Sequence, residues 1–301
     1  MAATARPLSV EASRRAVRRS LHPLTVIKGG GDLGSGVAWR LYRCGLPVVI
    51  LEQPHPTVIR RAVAFASALY EGEAAVEGIT ARQATPEQVP VLLEQGVIPV
   101  LADPQGQSLL TLRPAVLVDA IMAKRNTGTR IGDAPLVIAL GPGFFAGRDC
   151  HAVVETARGH SLGRVYWHGE TLAPTGVPGE VMGATEERVL RAPAAGTFRP
   201  LVRIGDMVRA GQEVARVDGE AIVARLEGVV RGILHSDLPV CAGMKVGDVD
   251  PRGDRSSCFT VSDKALAIAG GVLEAIWTWL NGFPRVPRRT MDETGTGNPH
   301  H

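Results

Sequence analysis

Three glycines near the start of the chain have the spacing of a phosphate-binding loop. Gly29, Gly31 and Gly34 follow the apolar run at 24–27 and precede a helical pattern at 37–44. Glycines between a buried strand and a helix permit a tight turn and let the backbone approach a pyrophosphate. The positive end of the helix adds free N–H groups for the anion. The pattern predicts a nucleotide or dinucleotide site.

Other residues of this segment bear on the same site. Glu52 ends the next apolar run, 18 residues after Gly34, where an acidic residue binds a ribose hydroxyl. Gly30 and Asp32 complete the loop. Because a carboxylate and a pyrophosphate repel each other, the Asp32 side chain either points away or holds a metal or a ribose. The alternative for the whole segment is a tight strand–helix turn without a ligand.

A second glycine pair follows a later apolar run. Gly141 and Gly143 come directly after the run at 136–140. In a parallel sheet, this loop lies at the same carboxyl edge as the first glycine loop. We therefore expect either a second ligand-facing loop or an ordinary turn.

The segment that follows carries candidate catalytic groups. Glu155, Arg158 and His160 place an acid, a guanidinium and an imidazole close together in the chain. Such groups transfer protons or bind anions. A polar surface loop is the alternative. The spacing is not that of a HExxH helix, and the sequence predicts no metal site.

The composition excludes several classes of protein. The net charge of +3 comes from the arginines at the two ends, so the body has no positive excess for nucleic acid. Aromatic residues make up only 4% of the chain, which argues against stacking on bases. No apolar run approaches the ~20 residues of a membrane span. The 4 cysteines form no CxxC pair, which favours a reducing cytoplasm.

Alternating apolar runs and helical patterns predict an α/β fold with a Rossmann-like parallel sheet in residues 23–187. Buried strands are expected at the apolar runs 24–27, 47–52, 97–102, 115–119 and 136–140. Helices are expected at 37–44, 57–70 and 85–96.

Short β patterns and an internal repeat mark residues 188–260. The stretch at 192–196 matches the stretch at 224–228, and further matches keep the same offset of 32 residues. Two stacked units of one kind explain such a repeat, and the segment resembles the biotinyl/lipoyl barrel-sandwich module. We therefore expect a small all-β barrel-sandwich module. Its hairpin tip at 217–223 holds no lysine, so no covalent biotin or lipoate is expected.

The remaining segments lie at the ends. Ser262 is the expected N-cap of a helix at 261–282, whose interior holds two adjacent glycines. Residues 1–22 are expected to form a disordered or helical Arg-rich extension, and residues 283–301 a disordered tail.

Several separated motifs resemble those of one protein family, the selenium-dependent molybdenum hydroxylase system proteins. The similarity covers residues 24–280. The motifs are VIKGGGDLGSGVA at 26–38, ALGPGF at 139–144, VVETARGH at 153–160, KVGDVDPR at 245–252, and the helix that begins SDKA at 262.

This resemblance implies an accessory or maturation factor for a molybdenum hydroxylase. Its ligand would be a nucleotide or the dinucleotide end of molybdopterin cytosine dinucleotide, and its partner the hydroxylase or its maturation machinery. Two alternatives remain open: an NAD(P)-dependent oxidoreductase with His160 or His151 as proton donor, and a non-catalytic nucleotide-binding scaffold. A homo-oligomer is compatible with each of them.

Overall fold

The computed structural model describes residues 22–174, 176 and 179–282. The expected extension at 1–22, apart from His22, and the expected tail at 283–301 lie outside the described residues.

A nine-stranded sheet forms the larger part of the molecule, with the order β3-β4-β5-β2-β1-β6-β7-β8-β9. Neighbouring strands are parallel except at the two edges, where β3 runs antiparallel to β4 and β9 antiparallel to β8. The strands are β1 Thr25–Lys28, β2 Val48–Glu52, β3 Glu73–Val76, β4 Ile79–Gln83, β5 Ile98–Ala102, β6 Val116–Asp119, β7 Leu136–Leu140, β8 Ala152–Val154 and β9 Val165–Tyr166.

The connections between these strands are mostly irregular. The α-helices are α1 Asp32–Arg43, α2 Ala68–Glu71, α3 Val89–Glu94, α4 Leu109–Leu112 and α5 Asp263–Leu280. The 3-10 turns are Arg61–Val63, Phe65–Ser67, Pro86–Gln88, Ile131–Asp133, Glu186–Arg188 and Arg255–Cys258. Only α1 is a crossover helix of several turns. The expected Rossmann-like parallel sheet is therefore corrected to a large mixed sheet in which strands and helices do not alternate regularly.

The helix expected at 57–70 is wrong for most of its length, because this segment packs against another part of the chain. The backbone N–H of Ile233 donates to the carbonyl of Ile59 at 2.9 Å. The Arg61 Nε donates to the carbonyl of Ile233 at 2.9 Å. The first bond satisfies the Ile59 carbonyl, which a helix would pair within the segment, and the second ties the Arg61 side chain to the β-strand region at Ile233.

Residues 189–250, here called the β unit, form two separate four-stranded antiparallel sheets. Their orders are β10-β17-β15-β12 and β14-β13-β11-β16. The strands are β10 Val189–Arg191, β11 Gly196–Pro200, β12 Met207–Val208, β13 Glu213–Val217, β14 Glu220–Val223, β15 Gly228–Ile233, β16 Leu238–Val240 and β17 Lys245–Asp250.

The repeat is visible in these strands, but the expected biotinyl-type barrel is not. β11 and β15 begin 32 residues apart, as do β13 and β17. Strands of the two repeats pair crosswise, β11 with β16 and β12 with β15. One apolar cluster, which includes Phe198, Val214 and Val230, lies in this unit. The expected barrel-sandwich module is therefore corrected to two separate sheets that share a core.

The last helix, α5, completes the core of the large sheet. The side chain of Ser262 caps its start by accepting the Ala265 N–H at 3.2 Å. Ile268, Val272 and Ile276 are buried in the same cluster as Ile27 of β1. Within the described residues, none of the helices combines the length and the apolar character needed to cross a membrane.

Close backbone packing explains one of the two adjacent glycines of α5. A Cβ on Gly271 would meet the carbonyl oxygen of Gly163 and, at 2.8 Å, the Cγ1 of Val154. A Cβ on Gly270 would have the Arg40 guanidinium 3.8 Å away, an ordinary contact. Space is therefore required at Gly271, whereas the glycine at 270 only lowers helix propensity.

This difference gives a matched prediction. We expect Gly270→Ala to raise the free energy of unfolding by roughly 0.5–1 kcal/mol, because alanine is the better helix former. We expect Gly271→Ala to lower it by about 1–3 kcal/mol through overpacking. Urea denaturation of both variants measures the two changes. Equal effects in the two variants would show that α5 does not approach the 163 loop closely.

Candidate functional site

A cavity of about 720 Å³ lies where the carboxyl edge of the large sheet faces the β unit. The sheet edge contributes the ends of β1 and β2 and the loops after β5 and β6. The 57–60 segment, the β unit and the start of α5 contribute the rest. The lining residues are Lys28, Gly29, Gly31, Asp32, Leu33, Leu51, Glu52, Gln53, Thr57, Val58, Ile59, Arg60, Asp103, Pro104, Ala120, Ile121, Met122, Thr127, Arg158, Gly179, Arg188, Arg231, Lys245, Asp248, Ser262 and Lys264.

This lining is strongly basic. It holds seven lysines and arginines against four aspartates and glutamates, which leaves an excess of three positive charges. The described body of the chain has no such overall excess, so the cavity concentrates positive charge. A cleft of this kind attracts and holds anions.

Arg60 connects the two sides of the cavity. Its Nη1 pairs with the Asp32 carboxylate at 2.9 Å, at the start of α1. Its Nη2 donates to the carbonyls of Ser257 at 3.0 Å and Thr260 at 3.2 Å, beyond the β unit. Both terminal nitrogens thus have protein acceptors, and Arg60 serves as a structural bridge.

Arg188 is likewise paired inside the protein. Its Nη1 lies 2.5 Å from the Asp248 carboxylate, and its Nε donates to the carbonyl of Gly179 at 3.2 Å. The Lys245 Nζ lies 3.8 Å from the same carboxylate. Burial lowers the pKa of Lys245 despite the opposing charge of Asp248, and neighbouring arginines lower it further. The single negative charge of Asp248 therefore faces two positive charges, those of Arg188 and Lys245.

Arg231 is a buried cation without a close ion pair, and its Nε, like that of Arg60, has no hydrogen-bond partner among the described residues. It is only 9% exposed. The Asp250 carboxylate lies 3.8 Å from that Nε, but Arg252 already binds it at 2.6 Å. Burial lowers the pKa of Arg231, and the nearby charge of Arg60 lowers it further. A buried cation in this state is costly unless an anion reaches it.

The first glycine loop is used for packing and is occupied by the protein's own carboxylates. Gly29 has a φ of +99°, and a Cβ there would meet the Ala120 carbonyl oxygen at 2.8 Å. The Gly30 N–H donates to Glu52 at 2.9 Å. Asp32 is the first residue of α1. Because two carboxylates stand where the diphosphate was expected, the predicted nucleotide or dinucleotide cofactor is wrong for this loop.

The other two glycines of this loop differ in role. A Cβ on Gly34 would collide with the carbonyl oxygen of Gly29, so helix and strand approach closely there. Gly31 is open, since a Cβ there would meet only Val58, at 3.8 Å, and Gly31 lines the cavity.

The second glycine pair lies outside the described cavity lining. Gly141 and Gly143 both have positive φ, at +72° and +103°. A Cβ on Gly143 would meet the Arg125 backbone nitrogen at 2.6 Å, so the loop packs tightly on the loop after β6. This placement favours the ordinary turn over a second ligand-facing loop.

The three candidate catalytic residues are separated. Arg158 lines the cavity and pairs with Asp263 at 3.0 Å. Glu155 is fully buried, and its carboxylate accepts the N–H groups of Thr156, Ala157 and Leu172. His160 is not among the described residues that line the cavity. Of the predicted site residues, the cavity lining brings together Gly29, Gly31, Asp32, Glu52 and Arg158. Glu155 and His160 are not in this lining. The catalytic role of Glu155, Arg158 and His160 stays a prediction.

Sequence reasoning missed the cations that dominate the cavity. Arg188 and Arg231 stand in no motif that marks them as ligand-binding, whereas Lys264 lies in the SDKA motif at 262. Lys245 and Asp248 belong to one of the motifs that carry the family resemblance. The end position of Lys28 on a buried strand was the other available signal, because strand ends of parallel sheets meet ligands.

No metal site complements these cations. In the part of the chain that the structure describes, no group of three or more His, Cys, Asp or Glu side chains is arranged to hold a metal ion.

Comparison with known proteins gives one related sequence. No protein-family model matches the chain. The protein YqeB of Escherichia coli (strain K12), which carries the description "uncharacterized", is 54% identical over 272 residues, or 90% of this chain and 50% of YqeB. The chain therefore spans about half the length of the curated relative it matches.

The solved structures that match the chain share little sequence with it. An aspartoacylase family protein from Mesorhizobium loti shares 14% identity and a TM-score of 0.24, covering 76% of this chain and 85% of that one. The product-bound ectoine utilization protein EutE (DoeB) from Ruegeria pomeroyi shares 14% identity and a TM-score of 0.21, covering 82% of this chain and 65% of that one. A succinylglutamatedesuccinylase/aspartoacylase from Rhodobacter sphaeroides shares 15% identity and a TM-score of 0.23, covering 76% of this chain and 85% of that one.

At such TM-scores, these neighbours carry no argument about the activity of this chain. They are aspartoacylase and ectoine utilization proteins, not molybdenum hydroxylase accessory factors, NAD(P)-dependent oxidoreductases or nucleotide-binding scaffolds. None of the comparisons supports the expected maturation role, either alternative, or the NAD(P) or molybdopterin cytosine dinucleotide cofactor, and these expectations are not retained. The resemblance to the selenium-dependent family and the expected protein partner stay predictions.

The cysteines provide a test of the burial pattern around the site. Cys150 is fully buried, and burial raises its pKa to about 12. Cys258 is also buried, whereas Cys44 and Cys241 are exposed. Because the thiolate is the reactive form, we expect iodoacetamide to alkylate Cys44 and Cys241 at least about tenfold faster than the other two. Peptide mass spectrometry before and after denaturation measures this; rapid native labelling of Cys150 would contradict it.

Glu52 gives a pH-dependent prediction. Burial raises the pKa of its carboxyl, although the N–H groups of Gln53 and Gly30 oppose the shift. A raised pKa in the folded state means that the stabilising contribution is complete at low pH and is lost as the pH rises through that pKa. We expect the free energy of unfolding of the wild type, relative to Glu52→Gln, to fall as the pH rises from 4.5 to 8.

Urea denaturation across that pH range measures the difference between the two proteins. Glu227→Gln, at an exposed position, is the control and should show a flat difference. A flat difference for Glu52→Gln as well would contradict the burial of the Glu52 carboxyl.

Proposed function

We propose that this protein binds a small organic anion with two or more negative charges in the cavity between the large sheet and the β unit. The observation that carries the proposal is Arg231, whose side chain is 11% exposed and whose buried Nε has no hydrogen-bond partner, in the lining of that cavity. The guanidinium group suits carboxylates and related anions, because its planar donors bind two oxygens at once.

The neighbouring ion pairs distinguish this site from a structural network. Arg60 and Arg188 each hold a carboxylate directly, at 2.9 Å and 2.5 Å. Arg231 is farther from its carboxylate, at 3.8 Å, and shares it with Arg252. A network built only for stability would leave no such cation, since an uncompensated buried charge destabilises the fold.

Size and charge define the class of ligand. A volume of about 720 Å³ lies within the ~300–1,000 Å³ typical of small-molecule sites. The excess of three positive charges in the lining matches a dianion or trianion. The four free cysteines fit a reducing compartment, and we place the protein in the cytoplasm.

The test is binding of citrate, succinate and inorganic phosphate at constant ionic strength, measured by titration calorimetry. We expect at least one of these probes to bind saturably and to raise the melting temperature. Arg231→Gln should weaken its binding by about 10- to 100-fold, the value of a hydrogen bond to a charged group. The melting temperature of Arg231→Gln without a probe should not fall below that of the wild type, because the variant removes a buried, poorly compensated charge.

Arg199→Gln is the matched control. Arg199 lies on β11 of the same unit, is 72% exposed, and stands 3.5 Å from Asp237. This variant should bind the probes as the wild type does. Failure of all three probes to bind, or equal losses in the two variants, would refute the proposed function.

A further inference from the structure

Lys28 is a second buried cation of the cavity, held by the large sheet. It is the last residue of β1 and is only 7% exposed. Its Nζ donates to the Thr129 hydroxyl at 3.0 Å. An ammonium has three N–H donors, so this bond leaves two for the cavity that Lys28 lines.

A buried carboxylate fixes the position of this ammonium through Thr129. The Thr129 hydroxyl donates to Asp119 at 2.6 Å, and the other oxygen of Asp119 accepts the Ile121 N–H at 3.1 Å. Asp119 is the register partner of Lys28 on the adjacent strand β6. Asp119 and Thr129 are both 1% exposed. The chain from Asp119 through Thr129 to Lys28 therefore presents a preorganised cation at the sheet edge.

The loop that carries Thr129 is conformationally strained next to the cavity. Met122 and Lys124 both have positive φ, at +61° and +58°. Met122 and Thr127 line the cavity. Strained non-glycine residues cluster at sites that bind ligands, where the surrounding structure holds them in place.

The arginine cluster is held by protein groups other than those that hold Lys28. The charges that act on Arg231 come from Arg60, Asp248, Asp250 and Asp32. They belong to the β unit, the 60 segment and the start of α1. Lys28 instead makes its hydrogen bond to the loop after β6. The cavity therefore has two cationic sites, and the protein groups that hold Lys28 differ from those that surround Arg231.

Resting on the proposed function, we infer that the ligand is a dicarboxylate-type molecule with an anionic group at each end, one bound by Arg231 in the β unit and the other by Lys28 at the sheet edge. Asp119 and Thr129 are positioning residues for the Lys28 ammonium. Two cations that are fixed by separate protein groups select for a ligand of matching length, which a single cluster does not.

The experiment is a chain-length series. Acetate, malonate, succinate, glutarate and adipate are titrated at constant ionic strength into the wild type, Lys28→Met and Lys124→Met. We expect the best dicarboxylate to bind the wild type at least about tenfold more tightly than acetate does, with a defined optimum length. Lys28→Met should lose this preference while acetate binding stays unchanged. Lys124→Met, an exposed lysine of the same loop, should keep it.

Thr129 provides a second pair of variants. Thr129→Val removes the hydroxyl and should weaken dicarboxylate binding severalfold, whereas Thr129→Ser retains the hydroxyl and should preserve the length preference. A purely structural role of Thr129 would lower the melting temperature without changing the optimum length.

The outcomes separate the two proposals. Dicarboxylates that bind the wild type no better than acetate, or a length preference that survives Lys28→Met, would overturn the two-site inference and leave anion binding at Arg231 intact. Absence of binding by every probe in both experiments would overturn the proposed function itself.

Discussion

The guanidinium of Arg60 joins the two parts of the molecule that form the cavity. One of its nitrogens binds Asp32 at the start of α1, and another binds carbonyls that follow the β unit. Because one rigid, planar group makes both contacts, the start of α1 and the segment that follows the β unit are held together. The hydrogen bonds between Ile59 and Ile233 and between Arg61 and Ile233 strengthen the same junction.

This junction also determines the charge of the cavity. Asp32 is paired with Arg60, and Glu52 accepts the backbone N–H groups of Gly30 and Gln53. These two acids occupy the helix start and the glycine loop, which are the places where such folds bind phosphate. The uncompensated positive charge is displaced to the cations on the walls, chiefly Arg231 and Lys28. The ligand is thus expected between the sheet and the β unit and not on the helix N-terminus.

Close packing of backbones fixes the rest of the scaffold. A Cβ on Gly36 of α1 would lie 2.7 Å from the Cβ of Ala265 in α5, and Gly271 of α5 touches the 163 loop. These contacts bring α5 onto the core of the large sheet. A sheet face that crossover helices would cover in a regular α/β fold is covered here by α5. Its first turn simultaneously brings Lys264 to the cavity.

The sequence by itself determined the local elements and the glycine turns. The apolar runs that end at Lys28, Glu52, Ala102, Asp119 and Leu140 are strands, because such runs are stable only when buried. It also indicated α1, the Ser262 cap and the 32-residue repeat. Only the tertiary structure decided that the 57–70 segment unwinds, that the sheet is mixed, and that the repeat forms two sheets. It also decided which cations meet at the cavity. Partners such as Thr129 for Lys28 and Asp248 for Arg188 lie 101 and 60 residues away in the chain, and no local pattern encodes such contacts.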